Sequence, residues 1–292
     1  MPPAWIHIFR ARITDHWMGR VSMRSALWVN VVAVNLVLVA LSRLIYLPGL
    51  YGYDTLVQVR VLVALFPLAV TVTVWQLVGL WRAAGLDPRA VRLRPLIRVI
   101  VAACAAGLAV LVLFTSASAL DVARSAAGYD GLGDYRLQVV AGDTLQVEGD
   151  IGFGLAGRVR ERLSAQPAIR RVRLNSIGGR GSEGVLLARV IEQAGVDTEV
   201  TRGCFSACSF AFLGGRRRTL TPGALLGFHW KRPGSFITDL ELGWHLRALF
   251  ERAGVDPAFA GHTFQVTIDD LWIPSHAQLR AAGVTTGPDS GI

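Results

Sequence analysis

Lysine is almost missing from this chain: of 30 basic side chains only Lys231 is one. Cysteine is also scarce, with three residues, Cys104, Cys204 and Cys208. A structural zinc site is excluded by that scarcity, because no second Cys pair and no His-x-x-x-His partner accompanies Cys204 and Cys208. Charge is nearly missing from three long runs, 26–47, 56–81 and 96–120, each about 20 residues or more. Internal repeats and low-complexity tracts are absent, which excludes a solenoid.

What is present is apolar. Hydrophobic residues make up 52% of the chain, too many for a purely soluble protein of 292 residues. Each of the three runs can cross ~30 Å of hydrocarbon at 1.5 Å per residue, and none has the polar face of a surface helix. Pro48-Gly49-Leu50-Tyr51 after the first run lacks a small-x-small cleavage site, so that span is expected to be retained.

Arginine then sets an orientation. Arg10, Arg12, Arg20 and Arg24 precede the first span, and Arg82, Arg89, Arg92, Arg94 and Arg98 lie between the second and third. The loop 48–55 has no basic residue. Basic loops stay cytoplasmic, which predicts an inside N-terminus and an outside segment after Leu120. Arg43 and Arg60 lie near span ends and can snorkel.

The formal charge of +9 is therefore topological: residues 1–120 carry 11 basic and 3 acidic side chains, net +8, and residues 121–292 carry 19 and 18, net +1. A nucleic-acid partner loses its electrostatic support, while membrane lipid is expected as a partner.

The expected organisation is a transmembrane region over 1–120, a linker over 121–134 with Ser125, Gly128, Gly131 and Gly133, and an α/β domain over 135–292. In that domain strands are predicted at 135–140, 144–148, 171–175, 197–201, 219–220 and 224–229. Helices are predicted at 153–165, 182–194, 206–213, 239–253, 257–264 and 275–282. Strand–helix alternation favours a parallel sheet with right-handed crossovers.

Two turns and one histidine carry the chemistry. Leu174-Asn175-Ser176-Ile177-Gly178-Gly179-Arg180-Gly181 is a Gly-rich turn between a strand and a helix, where backbone N–H groups can face negative charge. Gly203-Cys204-Phe205-Ser206-Ala207-Cys208-Ser209 places Ser206 at a helix N-terminus, where it reads either as a nucleophile or as an N-cap. His229 ends the strand Leu225-Leu226-Gly227-Phe228. Its spacing from Ser206 suits a strand returning beside the nucleophile helix. Cys204 and Cys208 fit a disulfide and a pair of small buried thiols equally.

Over 135–286 these landmarks resemble the ClpP-type serine proteases of the ClpP/crotonase superfamily. Val147-Glu148-Gly149-Asp150-Ile151 resembles the first core strand and turn, and Leu174 to Gly179 the Asn-Ser-Pro-Gly-Gly loop, with Ile177 in place of proline. Ser206 to Gly215 resembles the nucleophile helix and Phe228-His229 the Ile-His pair. Asp270-Leu271-Trp272 resembles the segment carrying the triad aspartate, at a shorter spacing from the histidine than in the family. The membrane spans with Cys-x-Ser-x-Cys resemble a periplasmic branch of the superfamily.

The resemblance implies a spiral of βαβ units and a membrane-anchored serine hydrolase, an endopeptidase on peptide or protein substrates, in a bacterial inner membrane with a periplasmic domain. It implies Ser206 as nucleophile, His229 as base, Asp270 as orienting carboxylate with Asp269 beside it, and the Gly178 and Ala207 N–H groups as the oxyanion hole. No cofactor or metal is implied. Family members assemble into rings, and Phe236, Leu240, Leu242, Trp244, Leu246, Leu249 and Phe250 offer a helix face for a homo-oligomer or for core packing.

Two alternatives stand beside this: an inactive peptide-binding or assembly scaffold, and a Ser–Lys enzyme with Lys231 as base. Arg232 and Pro233 suggest an exposed loop for Lys231, where a solvated amine stays charged. Crotonase-type acyl-CoA chemistry would need a cytoplasmic cofactor, contrary to the charge-based topology. The orientation is testable: a phosphatase joined to the C-terminal end is expected to be active outside the cytoplasm, and an inactive fusion overturns it.

Overall fold

The computed structural model describes residues 4–45, 55–127, 132, 134–230 and 236–287. The chain divides into two compact units, 1–52 with 57–128, and 53–56 with 129–292.

The first unit is helical: α1 (Ala4–Trp17), α2 (Met23–Ser25) running through a π-helical stretch (Ala26–Ala33) into α3 (Val34–Ile45), α4 (Thr55–Leu86), a 3₁₀ turn (Pro88–Ala90) and α5 (Arg94–Ala126). Three segments, Met23–Leu41, Val63–Leu86 and Arg94–Leu113, are long and apolar enough to cross a membrane. Leu36, Val37, Val99 and Leu113 stand exposed along them, a distribution suited to lipid rather than water. The π-helical stretch leaves a carbonyl to satisfy, and Gln76 of α4 donates to Asn30 O at 2.8 Å. Residues 121–126, read from sequence as linker, instead continue α5. No glycine or proline interrupts the chain between Gly107 and Gly128, so nothing stops the helix at Leu120.

The second unit is built on a six-stranded sheet. β1 (Tyr135–Val140) and β2 (Thr144–Gly149) form an antiparallel hairpin. Then follow α6 (Leu155–Ala165), β3 (Arg171–Ser176), α7 (Gly181–Ala194), β4 (Asp197–Phe205), α8 (Ala207–Phe212), β5 (Arg218–Leu220) and β6 (Leu225–Gly227). The order is β1-β2-β3-β4-β5, with β6 beside the second half of β4, and every pairing after the hairpin is parallel. Helices α9 (Phe236–Arg252), α10 (Pro257–Thr263) and α11 (His276–Ala281) complete the unit.

The core joins Leu145, Val147, Val172, Leu174 and Val200 of the sheet to Leu187, Ile191, Phe212 and Phe250 of the helices. Leu246, Leu249 and Phe250 of α9 are buried there, so core packing accounts for that part of the predicted apolar face. Trp244 is 75% exposed. The side chains of Phe236, Leu240 and Leu242 lie outside the described residues.

Glu183 of α7 is buried and accepts the Ala156 N–H at 2.8 Å, satisfying a free donor at the start of α6. Arg218 is a second buried charge. Its guanidinium donates to the carbonyls of Gly283 and Val284 at 2.7 Å, Ala253 at 2.8 Å and Gly215 at 3.3 Å. Two of these carbonyls, those of Ala253 and Gly283, follow the C-terminal ends of α9 and α11, where the helix dipoles favour a cation. Burial lowers the affinity of Arg218 for its proton. Arg218→Met leaves these carbonyls unpaired and is expected to destabilise the unit by about 3 kcal/mol, with Arg218→Lys recovering less than half. Denaturant midpoints measure both, and a neutral Arg218→Met would remove this knot from the account.

Candidate active site

Parallel strands deliver the residues between them to one edge, the C-terminal ends of β2, β3, β4 and β6. Ile151 N donates to Gly178 O at 2.7 Å and Arg180 N to Ile151 O at 2.8 Å, stitching the Gly-rich turn after β3 to the turn after β2.

Between β3 and β4 the register shifts. Leu174 pairs Val200 but Ser176 pairs Cys204, so β4 carries two extra residues. Asn175 fills the gap: its Oδ1 accepts from Arg202 N at 2.9 Å and Thr201 N at 3.3 Å, and its Nδ2 donates to Thr201 Oγ1 at 2.9 Å. The bulge satisfies its backbone through one side-chain amide. β4 thereby runs to Phe205, four residues past its predicted end.

Ser206 follows, with φ +55° and ψ −123°, a conformation that L-residues avoid. Its N–H donates to Gly227 O at 3.0 Å. Its side chain makes no cap to α8. The hydroxyl instead meets His229 Nε2 at 2.6 Å, so of the two sequence readings for Ser206 the N-cap is the one the geometry does not follow. Gly178 is required here by space: a Cβ on it, at φ +115°, would stand 2.7 Å from the Ser206 Cβ.

His229 is held by its neighbour. Phe228 is buried, and its ring meets Phe259 at 5.4 Å, Trp272 at 6.1 Å and Phe250 at 6.3 Å between centroids. Phe228 and Trp272 also exchange backbone hydrogen bonds of 2.8 and 3.0 Å, and Trp230 N donates to Val266 O at 3.0 Å. This pairing brings the 266–272 segment alongside the imidazole, whose Nδ1 lies 3.2 Å from Ile268 O. A carbonyl can only accept, so Nδ1 carries the proton; Nε2 of the neutral ring is then the acceptor, and the Ser206 hydroxyl donates to it.

The structure thus brings Ser206 and His229 together and does not bring Asp270 to them. Asp270 is exposed, and its Oδ2 accepts from Thr267 Oγ1 at 3.1 Å. Asp269 is exposed as well. The turn at 268–269 aims a main-chain carbonyl at the ring instead.

Nor is the predicted donor pair arranged as expected. Gly178 N–H is spent on Ser176 Oγ at 3.0 Å, whereas the Gly179 N–H, at φ +140°, has no hydrogen-bond partner among the described residues. Ala207 is buried as the first residue of α8, with α7 packed against it at Gly184. Lys231 lies outside the described residues.

Cys204 and Cys208 form a disulfide with Cα atoms 5.2 Å apart, both fully buried on either side of Ser206. A groove at the C-terminal ends of β2, β3 and β4 is lined by Gly149, Asp150, Asn175, Ser176, Ile177, Arg202, Gly203 and Phe205. Larger clefts of this unit lie elsewhere, one lined by Leu163, Pro167 and Arg216, away from any serine–histidine pair. The chemistry is located by the pair rather than by cavity size. Asn175, Ser176 and the Ile268 carbonyl were not read as site groups from the sequence; only the Asn-Ser at the strand end was visible in advance.

No protein-family model and no curated protein matches the chain. Among solved structures it is similar to ClpP1 from Listeria monocytogenes at 19% identity and TM-score 0.42, covering 49% of this chain and 88% of that one. It is similar to a point mutant of the same protein at 18% identity and TM-score 0.41, covering 49% and 89%. A likeness of this order decides nothing about chemistry, and the site stands on its own geometry.

If the Ser206 backbone is held against its preference, glycine should relieve it. Ser206→Gly is expected to be about 1 kcal/mol more stable than Ser206→Ala by denaturant unfolding, since this strain exceeds the usual entropic penalty of glycine. Equal or lower stability for the glycine variant would show an unstrained turn.

Proposed function

We propose that this chain is a membrane-anchored serine hydrolase that cleaves peptide bonds outside the cytoplasm. One observation carries the proposal: the Ser206 hydroxyl donates 2.6 Å to His229 Nε2 while capping nothing. A serine hydroxyl is a weak nucleophile until a positioned base takes its proton, an effect of ~10²–10⁴-fold. In the reaction, Ser206 Oγ bonds to the acyl carbon as its proton passes to His229. His229 returns that proton to the leaving amine, and a water molecule repeats the sequence to release the acid.

The base is a dyad with a backbone partner. Ile268 O fixes the tautomer and ring plane, so Asp270 has no role in the step. The Ala207 N–H, which follows the nucleophile at the start of α8, is the proposed oxyanion donor; of the two turn glycines Gly178 already donates to Ser176 Oγ, which leaves the Gly179 N–H as the one free to join it. Peptide substrates are supported by the ordered motif resemblance to ClpP-type proteases, and the outside location by the arginine asymmetry around three spans. The occupied Gly178 N–H is the observation favouring an inactive scaffold. A Ser–Lys mechanism has less support, because His229 already accepts the Ser206 hydroxyl.

Fluorophosphonate labelling of the detergent-solubilised full chain tests this. Wild type is expected to label, Ser206→Ala not at all, and His229→Ala ~10²–10⁴-fold more slowly. Asp270→Ala and Lys231→Ala are expected to label near the wild-type rate, whereas loss of a triad carboxylate costs ~10⁴-fold. Labelling that survives Ser206→Ala removes the assignment, loss in Lys231→Ala favours the Ser–Lys reading, and an inert wild type favours the scaffold.

A further inference from the structure

We infer that the Cys204–Cys208 disulfide is a positioning element for the Ser206 nucleophile, an inference that rests on the hydrolase reading. The crosslink joins the end of β4 to the first turn of α8, and Phe205, Ser206 and Ala207 are all that lie between its ends. Ser206 holds φ +55° within that span, a conformation an L-residue leaves unless its surroundings hold it.

The elements on the far side of the turn are short. α8 has six residues and β6 three; β6 pairs with β4 over Gly203 to Phe205, and beyond that pairing the backbone of Ser206 itself reaches β6 through its N–H to Gly227 O at 3.0 Å. A helix of six residues is held by what it packs against rather than by its own hydrogen bonds, and all six of its residues are buried. A covalent link across the turn adds a constraint that acts on Ser206 directly, from both sides.

Its placement also argues against a role in global stability. Crosslinks stabilise chiefly by restricting the unfolded chain, and a link across three intervening residues restricts it least. Both cysteines are wholly buried, so the bond is part of the packing around the nucleophile rather than a surface staple. The Ser206 to His229 contact is short, and a displacement of ~1 Å at a reacting group can lower a rate ~10²-fold. The effect of the disulfide therefore falls on the approach of Ser206 to His229.

The test compares wild type with the Cys204→Ala/Cys208→Ala double variant, both full length in detergent. Fluorophosphonate kinetics, thermal unfolding and hydrogen exchange at 205–208 are read together. The maximal labelling rate is expected to fall ~10- to 100-fold with the concentration dependence unchanged, exchange to quicken at 205–208, and the unfolding midpoint to move by only a few degrees. A double variant that labels at the wild-type rate overturns the inference, as does a loss of labelling that tracks the unfolded fraction. If the double variant does not fold, it is replaced by wild type treated with a water-soluble phosphine until thiol titration in denaturant counts both cysteines as free, and then reoxidised. Labelling that falls and returns supports the role, and labelling that never falls overturns it. Wild type that never labels sinks the hydrolase reading, and exchange then judges the brace: quickening confined to 205–208 supports it, and no change overturns it.

Discussion

The backbone turn at Ser206 is the constraint on which the site depends. A residue with a Cβ stands where the chain would ordinarily place glycine, and several neighbours hold it there. Gly178 leaves room for its side chain, Gly227 accepts its N–H, and α7 packs at Gly184 against the residue that follows. The Asn175 amide fixes the bulge that lets β4 reach this position. Each contact is ordinary, but together they turn the hydroxyl away from the cap that a serine at a helix start would normally make.

The histidine is positioned by different means. Its support is an aromatic cluster around Phe228 and a short antiparallel pairing with Trp272, which together place a main-chain oxygen at Nδ1. A carbonyl dipole orients an imidazole and sets its tautomer. It cannot neutralise an imidazolium as a carboxylate does, so the charge formed on His229 in the proposed reaction is stabilised less than in a triad.

Much of this was legible in the sequence. Alternation and turn residues located all six strands, because hydrophobic period and glycine placement are local properties. The Ser206 and His229 positions followed from where a strand met a turn. The bulge at Asn175 was not visible, since it depends on two strands failing to match in length. The partner of His229 Nδ1 is a related case: a carboxylate such as Asp270 is conspicuous in sequence, and the carbonyl of Ile268 that the structure places there has no letter of its own. The linker reading failed at 121–126 because small and acidic residues do not stop a helix that has already nucleated. Gln76, filling the carbonyl left over by a π-helical stretch, could not be foreseen from an apolar run.

The sulfur pair also bears on the order in which the second unit is assembled. Both atoms sit where solvent does not reach once the sheet and helices have closed. A small oxidant would have to reopen the interior to join them afterwards, so the linkage belongs to the folding chain rather than to the finished domain. The surroundings into which the nascent polypeptide emerges are thus written into the mature centre. A copy folded among reductants would close around two separate thiols, and they would join only as fast as that interior opens.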